Sequence, residues 1–378
     1  MGITNKIKKL YLAGVFVCCM LFATGCGTTS FTDVAAYVKL GAVRGDALCV
    51  SSDRYAHNTL SKEQQIVYDE MLNAIMNMEE TVRLSTTDKS DVKLCYDAIC
   101  ADYGEIFWVE ACSYSELSLL GKPCAVSFAV EYAYTSEEVL DLKARMQPVI
   151  DEYLAQLAEC ESDYEKTEVV YRRLLQEVDY DMEAENNQNI LSVFLGKKTV
   201  CQGYACAAQY LLHQAGIPCV IVSGTAQKQP HAWNMVKLDG AYYYLDVTWG
   251  NADFRGEKER AGYGINYGYL NITTEELLRS HQPQVNFSLR ECDSIKNNYY
   301  VRNQLFFDQW DADAIGQKLA DAFQEKRDSI SVKFADSGLF AQAKEYFIDG
   351  RHITDYCPGI SKIYYVPDED LDILTIYF

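Results

Sequence analysis

Seven prolines in 378 residues argue against long rigid linkers. No internal repeat, collagen-like period or low-complexity tract is present, which excludes repeat and fibrous architectures. Basic residues are scarce too: 34 Lys and Arg stand against 54 Asp and Glu, a formal charge of −20. A surface of that sign is a poor match for a polyanion, so no nucleic-acid partner is expected. No Cys-x-x-Cys pair stands with histidines at zinc-ligand spacing, and neither a metal nor an organic cofactor is implied. The acidic run from Asp179 to Asn187 lacks the glycine and spacing of a calcium loop and reads as solvated. Only Leu10 to Thr24 forms a long apolar run, and it is shorter than the about 20 residues a spanning helix needs.

That run follows Lys6, Lys8 and Lys9, an arrangement that suits a secretory signal over residues 1–25. Its end, Leu21-Phe22-Ala23-Thr24-Gly25-Cys26, resembles the bacterial lipobox, with Ala23 where leucine is commoner. Cleavage before Cys26 would expose its thiol to diacylglyceryl attachment, with the membrane as partner through that anchor. Gly27-Thr28-Thr29-Ser30 follows as a small, polar tether. The chain is therefore expected to be an exported cell-membrane lipoprotein with its globular part outside the cytoplasm. An uncleaved anchor and an ordinary signal peptide are the alternatives. Loss of residues 1–25 removes three lysines and no acid, which moves the formal charge from −20 to −23.

The chemistry-bearing stretch runs from Thr199 to Trp249. Gly196-Lys197-Lys198 is a turn signal, and Tyr204, Ala205, Ala208, Leu211 and Leu212 then recur at helical spacing until Gly216. Cys201 thus opens a helix. Free backbone N–H groups and the positive end of the dipole there favour a thiolate and can face a developing oxyanion. Pro218 to Ser223 reads as a buried strand. Two more strands, His231 to Lys237 and Ala241 to Thr248, are joined through Asp239-Gly240, a strong hairpin signal. If Leu238 pairs with Ala241, His231 faces Thr248 and Trp233 faces Asp246, with all four side chains on one face. His231 and Asp246 are then diagonal neighbours at roughly 7–8 Å, within side-chain reach. A one-residue slip would turn the acid to the opposite face. Cys201, His231 and Asp246 suit a thiol nucleophile, its base and the base's orienter. Singly, each has a plainer reading as a small buried hydrophobe, a satisfied strand histidine and a strand-end acid.

Four segments in this stretch carry a resemblance: Cys201-Gln202-Gly203-Tyr204-Ala205, Ala215-Gly216-Ile217-Pro218, His231-Ala232-Trp233-Asn234 and Leu245-Asp246-Val247-Thr248-Trp249. Together they resemble the core of the transglutaminase-like superfamily of papain-type cysteine enzymes, in its bacterial branch. Looser similarity reaches Asn189-Ile190-Leu191-Ser192 upstream and Tyr269-Leu270-Asn271 downstream. The resemblance implies an α+β, papain-like core in which the Cys-bearing helix packs on an antiparallel sheet that bears His and Asp. It implies Cys201 as nucleophile, His231 as base and Asp246 as third member. The family's oxyanion side chain has no assignable counterpart. Gln202, Trp233 and Trp249 are substrate-cleft candidates, although the two tryptophans suit core or cleft wall as well.

The reaction so implied is attack on an amide carbonyl, an acyl-enzyme on Cys201 and transfer of the acyl group to water or an amine. Hydrolysis of protein or cell-wall peptide is the expectation, since no second aromatic-lined motif announces a dry amine channel. Protein-glutamine acyl transfer (cross-linking) and a non-catalytic surface binding module are the alternatives. Of fourteen cysteines, Cys18 and Cys19 would leave with the signal, Cys26 would be lipidated and Cys201 must stay free. The rest form no recognisable disulfide framework.

The remaining chain divides into a tether (26–60), an N-terminal α/β module (61–160), the catalytic core (161–290) and a C-terminal small α/β module (291–378). Ser61 to Gln64 is a capping box before a helix reaching Thr81, and a second helix spans Val92 to Cys100. Ala125 to Tyr134 alternates as a strand. Thr135 caps a long helix that Pro148 should kink or interrupt, and Ser162 caps the next, ending near Val178. Asn251 to Tyr269 reads as a surface loop bordering the cleft or as irregular packing. His57, His281 and His352 read as loop residues and His213 as structural. The C-terminal module reads as helix Asp311–Lys326, strand Ser329–Phe334, helix Leu339–Ile348 and a terminal hairpin, with no chemistry of its own. A monomer is expected.

Overall fold

In the computed structural model, which describes residues 54–119, 122–251 and 264–378, helices and antiparallel sheets build an α+β protein. Cys26 and the expected signal and anchor lie outside the described residues, as do residues 252–263 of the segment expected to border the cleft. Two hydrophobic clusters hold the described chain together. The first runs from Ala56 to Tyr300 and takes in Leu371 and Ile373; the second joins side chains between Ile315 and Ile376.

Local signals place the first elements. Ser61 and Gln64 form the expected capping box on α1 (Lys62–Met76). This helix stops short of Thr81 because Met78 adopts a φ of 54° and Thr81 opens β1 (Thr81–Leu84). Asp88 caps α2 (Lys89–Asp102), and β2 (Val109–Leu119) pairs with β3 (Lys122–Tyr132) in an antiparallel sheet of order β1-β3-β2. Residues 54–60, at the end of the expected tether, fold onto these helices. The backbone N–H groups of Ala56 and His57 donate to Asp102 at 2.9 and 3.0 Å. His57 is accordingly buried, not solvated, with its ring edge-on to Tyr68.

Thr135 and Glu138 form a second capping box on α3 (Ser136–Leu157), which runs through Pro148 without interruption. Burial of Val139, Met146, Ile150, Tyr153 and Leu157 along one face holds both halves of this helix despite the missing N–H. Ser162 caps α4 (Asp163–Glu177). A short parallel pair, β4 (Asp179–Tyr180) and β5 (Lys198–Thr199), leads into α5 (Cys201–Gln214). Then come β6 (Cys219–Ala226), β7 (Gln229–Leu238), β8 (Ala241–Leu245), α6 (Val247–Gly250), β9 (Leu270–Ile272), α7 (Thr274–Leu278) and β10 (His281–Pro283). The five strands form one antiparallel sheet of order β10-β6-β7-β8-β9, on which α5 lies. Asp239 and Gly240 both take positive φ, 51° and 85°, which fits a two-residue hairpin turn. That turn sets the pairing from Leu238↔Ala241 to Asn234↔Leu245, the expected register.

The pairing ends there, and β8 does not reach Thr248 as expected. Asp246 leaves the ladder to cap α6, its Oδ1 accepting the Trp249 N–H at 3.1 Å, and Thr248 lies inside that turn. The strong N-cap preference of aspartate wins over strand continuation. His231 therefore lies beyond the β7–β8 pairing and does not face Thr248; on its other side it pairs with Gly224 of β6.

Beyond the core come α8 (Tyr299–Arg302), β11 (Phe306–Phe307), α9 (Ala312–Gln324), β12 (Ser329–Phe334), α10 (Ser337–Lys344), α11 (Ile353–Tyr356), β13 (Tyr364–Asp368) and β14 (Ile373–Tyr377). Their sheet has order β11-β12-β14-β13, and the two-residue β11, unexpected from sequence, runs parallel to β12. Buried Lys333 ties this sheet to α7 through Glu276 Oε1 at 2.9 Å, and Arg279 pairs with Asp372. His352 is partnered, with Nδ1 2.9 Å from Asp355 Oδ2 and its ring stacked on Tyr346.

Candidate active site

Cys201 is the first residue of α5 and is 2 % exposed. Val200, in the N-cap position, has no side-chain oxygen to cap the first-turn N–H groups. The glycine two residues on is a packing requirement. A Cβ at Gly203 would lie 1.9 Å from Thr199 Oγ1 and 3.0 Å from Asn187 O. Thr199 Oγ1 in turn meets Ser192 Oγ at 2.7 Å and donates to Asn187 O at 3.0 Å, so a hydroxyl-bonded turn seats the helix start. Tyr180 stands beside the sulfur. Burial, with the neighbouring thiol, pushes its phenol up to about 12.

The His231 ring is hydrogen-bonded on one side to Cys201 and on the other to Asp246, with Nε2 2.7 Å from Asp246 Oδ2. With Nε2 engaged by the carboxylate, Nδ1 is the nitrogen available to the thiol. Burial works against charge on this imidazole. Asp246 and Cys201 outweigh it and raise its affinity for a proton well above the ordinary histidine range. Burial likewise opposes the charged form of Asp246, yet His231 and His281 hold its carboxyl well below the usual range.

His281 was expected in a loop and is instead part of this cluster. It sits on β10, opposite Ala226 at the sheet edge, with its side chain 0 % exposed and Nε2 3.0 Å from Asp246 Oδ2. One carboxylate oxygen therefore accepts from two imidazoles. Pro283 in the same strand is tolerated because the strand is an edge.

The tryptophans enclose these rings. Trp233 stacks on His231 with centroids 5.9 Å apart, and Trp249 meets His231 and His281 at 6.3 and 4.8 Å. Both are buried, which makes them walls of the histidine site. Gln202 is half-buried, and its Nε2 donates to Cys206 Sγ one helical turn on at 3.4 Å.

His231, Asp246 and His281 also form a group of metal-ligand composition, their ligand atoms all within 4.8 Å of one another. Two imidazole N–H groups donating to one oxygen account for that closeness. A zinc ion would instead need nitrogen lone pairs aimed at a common point about 2.0–2.1 Å away.

Three buried amides, none of them a site candidate from sequence, fix the arrangement. Asn234 on β7 donates to Ala205 O at 3.0 Å, tying sheet to helix. Gln209 on α5 donates to Ala101 O at 2.6 Å and Cys219 O at 3.0 Å. Asn251 donates to the Tyr204 hydroxyl at 2.9 Å, and that hydroxyl in turn donates to Val178 O. His213 accordingly serves structure, with Nε2 2.7 Å from Cys219 O.

A mouse (Mus musculus) protein, Kyphoscoliosis peptidase, is 29 % identical over 112 residues, which cover 25 % of this chain and 17 % of that protein. The human (Homo sapiens) Kyphoscoliosis peptidase is 26 % identical over 180 residues, covering 42 % of this chain and 27 % of its own. The chain thus spans well under a third of the length of either relative. Among solved structures, the crystal structure of a TGase is 13 % identical, with a TM-score of 0.28 over 36 % of this chain and 50 % of that one. The Transglutaminase-like superfamily model matches residues 151–247, the span that contains Cys201, His231 and Asp246. Over residues 151–247, this chain is similar to the transglutaminase-like superfamily.

Proposed function

We propose that this chain is an exported cysteine peptidase or amidase of the transglutaminase-like type, acting through Cys201, His231 and Asp246. The observation that carries this reading is the His231 imidazole held between the Cys201 thiol and the Asp246 carboxylate, away from water. Similarity to two proteins named as peptidases supports the same reaction class.

In the first half-reaction, His231 takes the Cys201 proton and the sulfur attacks the amide carbonyl carbon. The first-turn N–H groups of α5 face the oxyanion that forms. Collapse of the tetrahedral adduct breaks the C–N bond, and the imidazolium gives its proton to the leaving amine. In the second, His231 deprotonates a water that attacks the thioester, which releases the acid and restores the thiol. Asp246 holds the ring and stabilises its charged form throughout. Hydrolysis is preferred to cross-linking because the sequence announces no dry amine channel, and protein or cell-wall peptide is the proposed substrate.

The purified chain should be incubated with peptide libraries and cell-wall fragments, with and without a labelled primary amine, and the products read by mass spectrometry. Cleavage that vanishes in Cys201→Ala is the expected result. Amine incorporation exceeding cleavage would replace hydrolysis by acyl transfer, and no product at all would favour a surface binding module. The proposed lipid anchor on Cys26 rests on the sequence alone. Mass spectrometry of the native protein should find diacylglyceryl on Cys26 and no residues 1–25, and an intact Met1 to Gly25 would overturn it.

A further inference from the structure

We propose that His281 is a positioning residue for the reaction: by donating to the same carboxylate oxygen that holds His231, it shares the charge of Asp246 and sets how firmly Asp246 grips the base. The inference rests on reading Cys201, His231 and Asp246 as the reacting set.

The geometry separates this role from simple orientation. Asp246 Oδ1 is already fixed by the Trp249 N–H at 3.1 Å, and the Asp246 backbone N–H donates to Tyr269 O at 3.1 Å. The carboxylate would therefore point at His231 without help. What His281 adds is a second donor at Oδ2, 3.0 Å away beside the 2.7 Å contact from His231. A carboxylate oxygen that serves two donors holds each less tightly than it would hold one.

The fold invests in placing this ring. Ser280 Oγ lies 2.8 Å from His281 Nδ1, so Nδ1 can accept the hydroxyl proton while Nε2 donates to Asp246. The strand that carries it closes on β6 at a position where only glycine fits. A Cβ at Gly224 would lie 2.1 Å from Gln282 O and 2.9 Å from Trp233 Cη2. Trp249, Trp233 and Tyr269 surround the imidazole at centroid distances of 4.8, 5.1 and 5.7 Å. A buried polar ring is costly unless it is paired, and its pairing here is to the carboxylate behind the base. Among the described residues, the titratable groups around the cluster include Cys201 with Tyr180 beside it, the phenols of Tyr171 and Tyr269, and the three cluster members themselves.

Chemistry gives the sharing a purpose. His231 must first accept a proton and then surrender it to the leaving amine. A desolvated carboxylate with one partner would hold the imidazolium strongly and slow the surrender; a second donor moderates that hold.

The test uses the full chain as wild type, His281→Leu, His281→Gln and His231→Ala, and reads the rate of Cys201 alkylation by iodoacetamide against pH. The limb that disappears in His231→Ala belongs to the base. In His281→Leu that limb should move up by about one pH unit, because Asp246 then serves His231 alone. His281→Gln, whose amide can donate to the same oxygen, should lie close to wild type. A His281→Leu profile that superimposes on wild type or moves down overturns the proposal, as does a His281→Gln shift as large as that of leucine. Should His281→Leu fail to fold, nitrogen NMR of the wild-type imidazoles decides. A His281 that carries its proton on Nδ1 and not on Nε2 overturns the proposal, and one that carries it on Nε2 supports it. A wild-type profile identical to His231→Ala would instead overturn the underlying reading of Cys201 and His231.

Discussion

Gly104 and Gln209 are joined across the protein by a 2.7 Å hydrogen bond from the Gly104 backbone N–H to the Gln209 side-chain oxygen. The same amide donates to Ala101 O and Cys219 O, so one fully buried side chain links α2, the loop after it, α5 and β6. The N-terminal α/β elements are thereby latched to the helix that opens with Cys201.

Gln209→Ala would leave Ala101 O and the Gly104 N–H buried without this partner, while Cys219 O keeps His213. Unsatisfied buried groups cost about 1–3 kcal/mol each before relaxation, so a loss on the order of 3 kcal/mol is expected. Urea unfolding should show a lower midpoint with an unchanged slope. A loss under about 1 kcal/mol would mean that water takes over the amide's role.

Gly203→Ala tests the seating of the nucleophile. The new methyl would press on Thr199 Oγ1, which Ser192 and Asn187 hold in place, so the helix start must shift. Cys201 alkylation should slow by on the order of tenfold, since small displacements at a reacting atom are costly. Thr199→Ala removes the nearest obstacle, and the double variant should recover part of the rate. If it recovers nothing, the remaining contact with Asn187 O is the controlling one.

Much of the core was legible because its signals are local. The capping boxes at Ser61 and Thr135, the Asp239-Gly240 turn and the Leu238↔Ala241 register each depend on residues a few positions apart. His231 and Asp246 meet as expected, yet by another route: Asp246 reaches the imidazole from a helix cap and not from a strand. His281 was illegible because its environment is made by β10 pairing with β6, a contact between segments far apart in sequence. Gln209 was hidden for a related reason, since a glutamine on a helix gives no sign that three backbone groups from elsewhere converge on it. Pro148 does not interrupt α3, because burial along one face of the helix outweighs the local penalty.

Glu105 provides a pH-dependent test outside the candidate site. Its Oε2 is buried with no hydrogen-bond partner among the described residues, and burial pushes the carboxyl up to about 7, with Lys143 opposing. The folded chain therefore holds this proton more tightly than the unfolded one. Its contribution to stability is complete below the unfolded value of about 4.3 and is lost as pH rises through about 7. Glu105→Gln should match wild type near pH 4 and exceed it at pH 8 by on the order of 2 kcal/mol, allowing for partial solvent screening. Equal stabilities at both pH values would show that Glu105 reaches water.

The Asp246–His231 pair gives the opposite pattern at its acid edge and a second edge above it. Asp246 is held below its ordinary range, so its contribution is present above the unfolded value of about 3.9 and is lost as pH falls through the lower folded value. His231 is raised, so its contribution is complete below about 6.5 and is lost as pH rises through the higher folded value. Asp246→Asn removes the charge while its amide oxygen can still cap Trp249. It leaves two imidazole donors facing a neutral group, and an amide N–H turned toward Oδ2's place would repel them. Breaking a buried pair of this kind costs on the order of 3 kcal/mol. Unfolding free energies of wild type and variant, measured from pH 3 to pH 9, should differ most between about pH 4 and 6.5, and the gap should narrow on both sides. Cys201 alkylation at neutral pH should fall in the same variant, because the imidazole that takes the thiol proton loses the carboxylate that supports its charged form. A gap that stays constant across the whole range would mean that Asp246 serves only as a helix cap, and an unchanged alkylation rate would remove it from the reacting set.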